Sequence, residues 1–250
     1  RQVTRRVASD AIAVISFLPP QPDVIRSAAS VMRDMPGTYR IHLSSSAVYE
    51  RSRDQYDVTE RETGLSGLNT CPFRSAERVL ERETQGCVTL IRPARLFGIT
   101  ELGAPILRRA RGGPLPFVRD KDAETSVLSP DTLSDALIHL LGTPSAGHMT
   151  GPFNLAEAKP VSVRYLVGKI TASHGVQISW TPVSRFRLRA GETARSLCSV
   201  LDRSGPDPVN VAQLLGWSLT LDGSAFRRET GWVPKPAGRI AGLSEAGGAF

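Results

Sequence analysis

Few side chains in this sequence have the type and spacing to hold charge or move a proton. Ser44-Ser45-Ser46-Ala47-Val48-Tyr49 sets three hydroxyls just ahead of a phenol. A run of serines bonds local backbone readily, so a cap on a turn is one reading of Ser45. Tyr49 either packs its ring beneath that turn or acts as a proton donor. The second role needs a cationic neighbour, for which Arg53 and Arg92 are the candidates. Arg92 and Arg95 flank Pro93, and guanidinium forks suit phosphate or carboxylate, with a surface pair to an acid such as Asp131 as the alternative for Arg92. Arg108, Arg109 and Arg111 form the densest basic cluster. On a helix 108 and 111 share a face, which reads as a phosphate track, a contact for an acidic subunit or a solvated surface. His42, His139, His148 and His174 never reach a ligand spacing with one another or with Cys71, Cys87 and Cys198, so no metal site is expected.

The elements that must hold these residues read as alternating strands and helices. Ala11 to Leu18 is a nearly continuous apolar run closed by Pro19-Pro20, the pattern of a strand buried on both faces of a parallel sheet. Val24 to Met35 reads as a helix, Tyr39 to Leu43 as a strand, and Arg51 to Asn69 as a long polar loop. A helix starts at Pro72 and is stopped by Gly86, and Val88 to Ile91 forms a third strand running into Arg92-Pro93-Ala94-Arg95. Later come a helix over Pro130 to Leu141, a short strand at Phe153-Asn154-Leu155, a helix over Val161 to His174, and a strand-like start and short helix between Ser218 and Trp232. Pro182 to Pro208 shows no periodicity, and Trp217 and Trp232 read as core. Strand-helix alternation at this spacing predicts an α/β, Rossmann-like, doubly wound parallel sheet. Ligands in such sheets sit beyond the carboxyl ends of strands, here Pro19-Pro20, Ser44 to Ser46 and Pro93 to Arg95.

Composition narrows the class. The chain has 250 residues, 40% hydrophobic and 22% charged, an ordinary globular balance. No apolar run approaches the ~20 residues of a membrane span, and three cysteines without a close pair exclude a disulfide framework, which together suggest a soluble intracellular protein. The net charge is +7, carried by 27 arginines and only four lysines (Lys121, Lys159, Lys169 and Lys235). That balance favours nucleic acid, nucleotide ligands or acidic protein subunits as partners. Residues 1–9 hold three arginines and no acid, compatible with the remnant of an organellar transit segment, as for the mitochondrial matrix, or with an exposed helix end.

Taken together, several segments resemble the extended short-chain dehydrogenase/reductase family, the NAD-dependent epimerases and dehydratases of nucleotide sugars. Ser44 to Tyr49 is similar to its serine-containing strand end before valine-tyrosine-glycine, with Glu50 in place of the glycine. Leu90 to Gly98 resembles its arginine-proline strand and loop, and Val127 to Leu141 a helix introduced by an aspartate turn, with Asp131 at the aspartate. Phe153-Asn154-Leu155-Ala156 and Leu221-Asp222 through Thr230-Gly231-Trp232-Val233-Pro234 are similar to its late strand and terminal signature. The resemblance covers nearly the whole chain in order. It implies a core from residues 1–100, lacking its N-terminal portion, and the remainder of that core plus a smaller α/β lobe from 101–250. It implies NAD or NADP as cofactor, with Ser44, Pro93 and Arg95 near it, Ser45 and Tyr49 at the chemistry, and Arg92, Arg108 and Arg111 toward substrate phosphates.

Two departures weigh against turnover. The family opens with a glycine-rich turn that approaches the cofactor pyrophosphate, and the nearest candidate, Gly64-Leu65-Ser66-Gly67, follows no strand. Two βαβ units, about 60 residues, are therefore expected ahead of Arg1. The family's tyrosine acid/base and the lysine four residues later fall on Asn69 and Phe73, neither of which exchanges a proton near neutral pH. Tyr165 and Lys169 have the right spacing but lie in the implied substrate lobe. The expectation is a non-catalytic accessory or structural subunit of an organellar ribonucleoprotein or respiratory assembly. The alternatives are an active NAD(P)-dependent nucleotide-sugar enzyme and an RNA-binding protein on the same fold.

Overall fold

In the computed structural model the described residues are 11–35, 37–49, 53–62, 71–96, 104–118, 121–143, 149–187 and 211–234. Its centre is a four-stranded parallel sheet built from β1 (Ala13–Ser16), β2 (Tyr39–Leu43), β4 (Thr89–Pro93) and β9 (Gly151–Leu155), in the order β1-β2-β4-β9. Alternate residues of each strand face opposite layers. On one side Val14, Val88 and Leu90 pack against Ile25, Ala29 and Met32 of α1 (Pro22–Arg33) and Ala76 and Leu80 of α2 (Pro72–Glu83). On the other, Ile41, Leu43, Ile91 and Phe153 meet Leu133, Ala136 and Leu140 of α4 (Pro130–Gly142) and Phe226 of α7 (Ser224–Thr230). Helices on both faces make the doubly wound arrangement that the alternation predicted.

A second sheet runs β10 (Val161–Ser162), β7 (Glu124–Thr125), β12 (Leu219–Leu221), β3 (Gln55–Val58). Two parallel pairs complete the strands: β5 (Arg95–Leu96) with β8 (Val127–Leu128), and β6 (Leu115–Val118) with β11 (Trp180–Val183). A separate apolar core joins α3 (Ala104–Arg111), β6, α5 (Val163–Ser173) and α6 (Val211–Gly216) through residues such as Ile106, Leu115, Leu166, Val167 and Leu214. Trp217 and Trp232 are both buried.

Three expectations are corrected. The segment read as a polar loop over 51–69 contains β3, because Gln55–Val58 is completed by parallel pairing with β12, about 160 residues later, which no local pattern announces. The Ala11 to Leu18 run is only half-buried: Val14 and Ile15 of β1 pack into the layers on opposite sides of the sheet, β1 is the edge of that sheet among the described residues, and Ile12 and Phe17, which flank the strand, are 71% and 62% exposed. The aperiodic stretch after Pro182 begins inside a strand, β11. The helix from Pro72 stops as expected, with Gln85 and Gly86 in the left-handed region and the Gly86 amide donating to the Glu81 carbonyl at 2.7 Å.

Candidate functional site

The carboxyl ends of β2, β4 and β9 converge on a polar cluster sealed inside the protein. β4 is buried along its whole length and yet carries Arg92, paired in register with Asn154 of β9, and both side chains are fully buried. Arg92 shares its side of the sheet with Leu90, the side covered by α2. A buried guanidinium requires an acid and acceptors, and α2 supplies Glu77, also fully buried. Arg92 Nε and Nη2 donate to the two Glu77 oxygens at 2.8 and 2.7 Å, a forked pair, and Arg74 adds a 2.9 Å contact one turn earlier. Arg92 Nη1 donates to the Tyr49 hydroxyl at 2.6 Å and to the Glu60 carbonyl at 3.3 Å. Tyr49 closes the 3-10 turn Ser46–Tyr49 and passes its own proton to Asn154 Oδ1 at 2.8 Å. Asn154 Nδ2 donates to the carbonyls of Val58 and Asp222, and its backbone amide to Glu60 Oε1. Six side chains, those of Arg92, Glu77, Arg74, Tyr49, Asn154 and Glu60, thus tie β4, β9, α2, the serine turn and β3 into one network.

Its electrostatics suit a keystone better than a proton relay. Burial opposes ionisation of Glu77, but the hydrogen bonds and charge of Arg92, helped by Arg74, outweigh it and hold the carboxyl below the usual range. Burial likewise works against the charged form of Arg92, and Glu77 overcomes it, raising the guanidinium above its ordinary value. Tyr49 is pushed up to about 12 by burial, with the Arg92 charge only partly offsetting it. A phenol so placed keeps its proton near neutrality. His42 of β2 lies on the same side of the sheet and is buried, with Nδ1 3.1 Å from Ser16 Oγ. Burial lowers it to about 4, against a raising influence from Glu77.

The residues expected to do chemistry fall out unevenly. Ser45 Oγ accepts from the Ala47 amide at 3.1 Å, the turn-capping role. Ser44 is buried at the end of β2, its hydroxyl beside the Glu77 carboxylate but outside hydrogen-bonding geometry. Arg92 is neither at the surface nor joined to Asp131, which is exposed at the start of α4, because the buried β4 register forces it onto Glu77. Every Arg92 guanidinium nitrogen has a protein acceptor, so the phosphate role expected for it is corrected to an internal one. The cationic neighbour of Tyr49 is Arg92, while Arg53 is exposed. Pro93 is buried at the end of β4 and Arg95 half-buried in β5. Arg108 and Arg111 are exposed on α3, on a solvated face. Phe73 stands in the first turn of α2 and packs against the main core. Asn69 lies outside the described residues, as do Gly64 to Gly67, His148 and Cys198.

Glu77, Glu60, Asn154 and His42 form much of the cluster and were not singled out as site residues. The available signal was a polar or charged residue interrupting an otherwise apolar strand, as in Tyr39–Leu43, Thr89–Pro93 and Gly151–Leu155.

Among the described residues, two tyrosine-lysine pairs lie elsewhere. Lys169 sits 5.5 Å from the centroid of the Tyr165 ring on α5, part of the second core. Lys121 Nζ donates to the Tyr56 hydroxyl, which in turn bonds Ser218 Oγ at 3.1 Å. That pair belongs to the β3-β12 region, and its partners are Ser218 and Asp54 rather than the Ser44–Ser46 turn. A dinucleotide would need a glycine-rich turn offering amides at a helix start. The described turn from β1 into α1 instead holds Pro19 and Pro20, with Pro22 opening the helix, none of which has an amide hydrogen to donate. This turn is therefore not itself a pyrophosphate cradle.

No family model matches the sequence, and no curated protein matches it. Solved structures do. The chain is similar to dTDP-glucose 4,6-dehydratase from Bacillus anthracis in complex with NAD, at 15% identity and a TM-score of 0.58, over 94% of this chain and 71% of that one. It is similar to UDP-glucuronic acid 4-epimerase from Bacillus cereus in complex with NAD, at 12% identity and 0.58, over 93% and 72%. With UDP-glucose 4-epimerase from Thermotoga maritima, solved with UDP-glucose, the figures are 15% and 0.57, over 94% and 76%. The parallel sheet with helices on both faces, and its match to these enzymes over nine-tenths of the chain, establish that this protein shares their Rossmann-type α/β fold.

Proposed function

We propose that the chain is a non-catalytic protein on the epimerase/dehydratase fold, serving as an accessory or structural subunit of a larger assembly of the ribonucleoprotein or respiratory kind. The observation that supports the reading is packing where the resemblance sets proton transfer. Phe73, at the position the resemblance gives to the lysine, packs against the core, and Tyr49 beside the serine turn is buried, donates to Asn154 and holds its proton to about pH 12. Ser45 spends its hydroxyl on the turn itself. A site of this fold without a titratable hydroxyl beside an ammonium lacks the route by which the family it resembles moves a proton at the sugar.

The reading is tested on the full-length protein by two measurements. Turnover is assayed with nucleoside-diphosphate sugars and NAD or NADP, following both nicotinamide absorbance and product epimers, and none is expected. Measurable turnover that disappears in Tyr49→Phe would overturn the proposal and favour an active enzyme with an unconventional acid. Size analysis of the native protein from its source should give a mass well above the monomer, and a free monomer counts against the subunit role. Titration of NADH fluorescence separates retained cofactor binding from lost chemistry.

A further inference from the structure

Tyr56, at the edge of the second sheet, is held by contacts that the proposed subunit role leaves unused. β3 is the end strand of that sheet among the described residues, and it is bulged. Gln55 pairs with Leu219 and Val58 with Leu221, so Tyr56 and Asp57 together stand opposite Thr220. Asp57 takes the left-handed region at φ 48°, and its amide donates to Thr220 Oγ1 at 2.8 Å. Aspartate tolerates that conformation better than most residues, yet it is uncommon for any side chain but glycine. The bulge leaves Tyr56 44% exposed between the buried Gln55 and Val58.

The phenol oxygen is met from two sides. Lys121 Nζ donates to Oη and lies 4.7 Å from the ring centroid. Oη in turn donates to Ser218 Oγ at 3.1 Å, and the Glu124 amide donates to the same serine oxygen at 3.1 Å. Ser218 is buried, so its oxygen is fixed while its hydroxyl hydrogen can rotate. When the phenol proton departs, the serine can turn and donate, and the charge left on Oη has a hydroxyl and an ammonium as donors. The hydrogen bond to Tyr56 raises Lys121 above its ordinary value, and Asp54 adds to the effect. Tyr165 supplies a contrast within the same molecule. It is also 44% exposed and also beside a lysine, but Lys169 lies 5.5 Å from its ring centroid and makes no hydrogen bond to its oxygen.

We propose that Tyr56 is a modification site, a nucleophilic phenol that accepts a phosphoryl group from an anhydride donor. Oη forms the bond to phosphorus, the bond from phosphorus to the leaving group breaks with its electron pair going to that group, and the phenol proton passes to solvent. The cation at Oη favours this class of electrophile over a neutral acyl group, because a phosphate carried there keeps Lys121 as its counterion. Lys121 and Arg185 share one oxygen of Asp54, at 3.4 and 2.8 Å, so the new anion competes with Asp54 for Lys121 and loosens that junction. The site uses no residue of the sealed cluster and stands whether or not the chain turns over a nucleotide sugar.

The test treats the full chain at neutral pH with a fluorophosphonate, whose phosphorus–fluorine bond breaks as the phenol ester forms, and follows each tyrosine by peptide mass spectrometry. Tyr56 is expected to label about tenfold faster than Tyr165, the worth of one charge-assisted hydrogen bond. Tyr49, which is fully buried, should stay unlabelled. Lys121→Gln, a change at an exposed side chain, should bring Tyr56 down to the rate of Tyr165, with the urea unfolding midpoint confirming that the fold is intact. Lys169→Gln should leave both rates as they are, and Tyr56→Phe should remove the fast-labelling peptide. In protein isolated from its source, the Tyr56 peptide should carry the mass of a phosphoryl group and lose it on phosphatase treatment. Equal rates at Tyr56 and Tyr165 in the wild type, or an undiminished Tyr56 rate in folded Lys121→Gln, would overturn the proposal. So would a Tyr56 peptide that is never phosphorylated in the native protein.

Discussion

Removing the Arg92 guanidinium while Glu77 stays would leave a fully buried carboxylate with only the partly exposed Arg74 as its cation. Arg92→Met is expected to cost about 3–5 kcal/mol in urea unfolding, as does breaking one side of a buried pair generally. The double variant Glu77→Leu with Arg92→Leu should recover most of that loss, since it leaves no unpartnered charge. If the single and double variants are equally unstable, Tyr49 and Asn154 depend on the guanidinium more than on the balance of charge. His42 carries a second residue-level expectation. It stays neutral in the folded protein down to about 4, whereas the unfolded chain takes up the proton near the ordinary histidine value of 6.5. Between those values the unfolded state binds more protons, so stability is complete above 6.5 and falls as pH drops toward 4, by on the order of 3 kcal/mol in total. Unfolding midpoints measured across this range should show the slope in the wild type and lose much of it in His42→Gln. The sequence showed that Tyr49 and Ser45 stand together and that Phe73 cannot exchange a proton. It did not show that Arg92 turns inward, because a strand's register against its neighbour, and not its composition, decides which layer a side chain enters.

At the scale of elements, the helices were legible where their ends are chemically marked. Pro130 opens α4 behind Ser129, whose side chain accepts from the Thr132 amide at 3.0 Å, and Pro72 opens α2. Ser129→Ala should lower stability by about 1 kcal/mol, the usual worth of such a cap, and thermal unfolding checks it. Strands were legible where apolar runs are long, as at Tyr39–Leu43, and not where support comes from afar. β3 has two buried residues of four, and its order rests on β12 and on the Asn154 amide group, which donates to the Val58 carbonyl at 2.8 Å. Asn154→Ala should therefore cost about 1–3 kcal/mol, by leaving buried carbonyls and the Tyr49 proton unsatisfied. Hydrogen exchange in that variant should accelerate at β3 before it does in β2 or β4.

For the molecule as a whole, Asp54 connects the lesser sheets. Its carboxylate takes Lys121, Arg185 and the Ser218 amide, and although partial burial opposes ionisation, these contacts keep the carboxyl below its ordinary value. The corresponding stability is present above the usual carboxylate range and is lost as pH falls through the lowered value, so acid should loosen the β3-β12 region together with Glu77. Asp54→Asn at neutral pH is expected to raise exchange at the Ser218 amide while the Leu90 and Ile91 amides in the central sheet stay protected, which would show that the two sheets open separately. Equal acceleration in both would show one cooperative unit. The alternation of strands and helices and the excess of arginine were determined by the sequence alone, because each is a matter of residue type and local period. Which arginine is sealed against Glu77, which strand forms the open edge and which rings meet which cations were decided only in the tertiary structure. Those contacts join segments up to about 160 residues apart, and their geometry follows from register and layer packing, which short-range pattern does not encode.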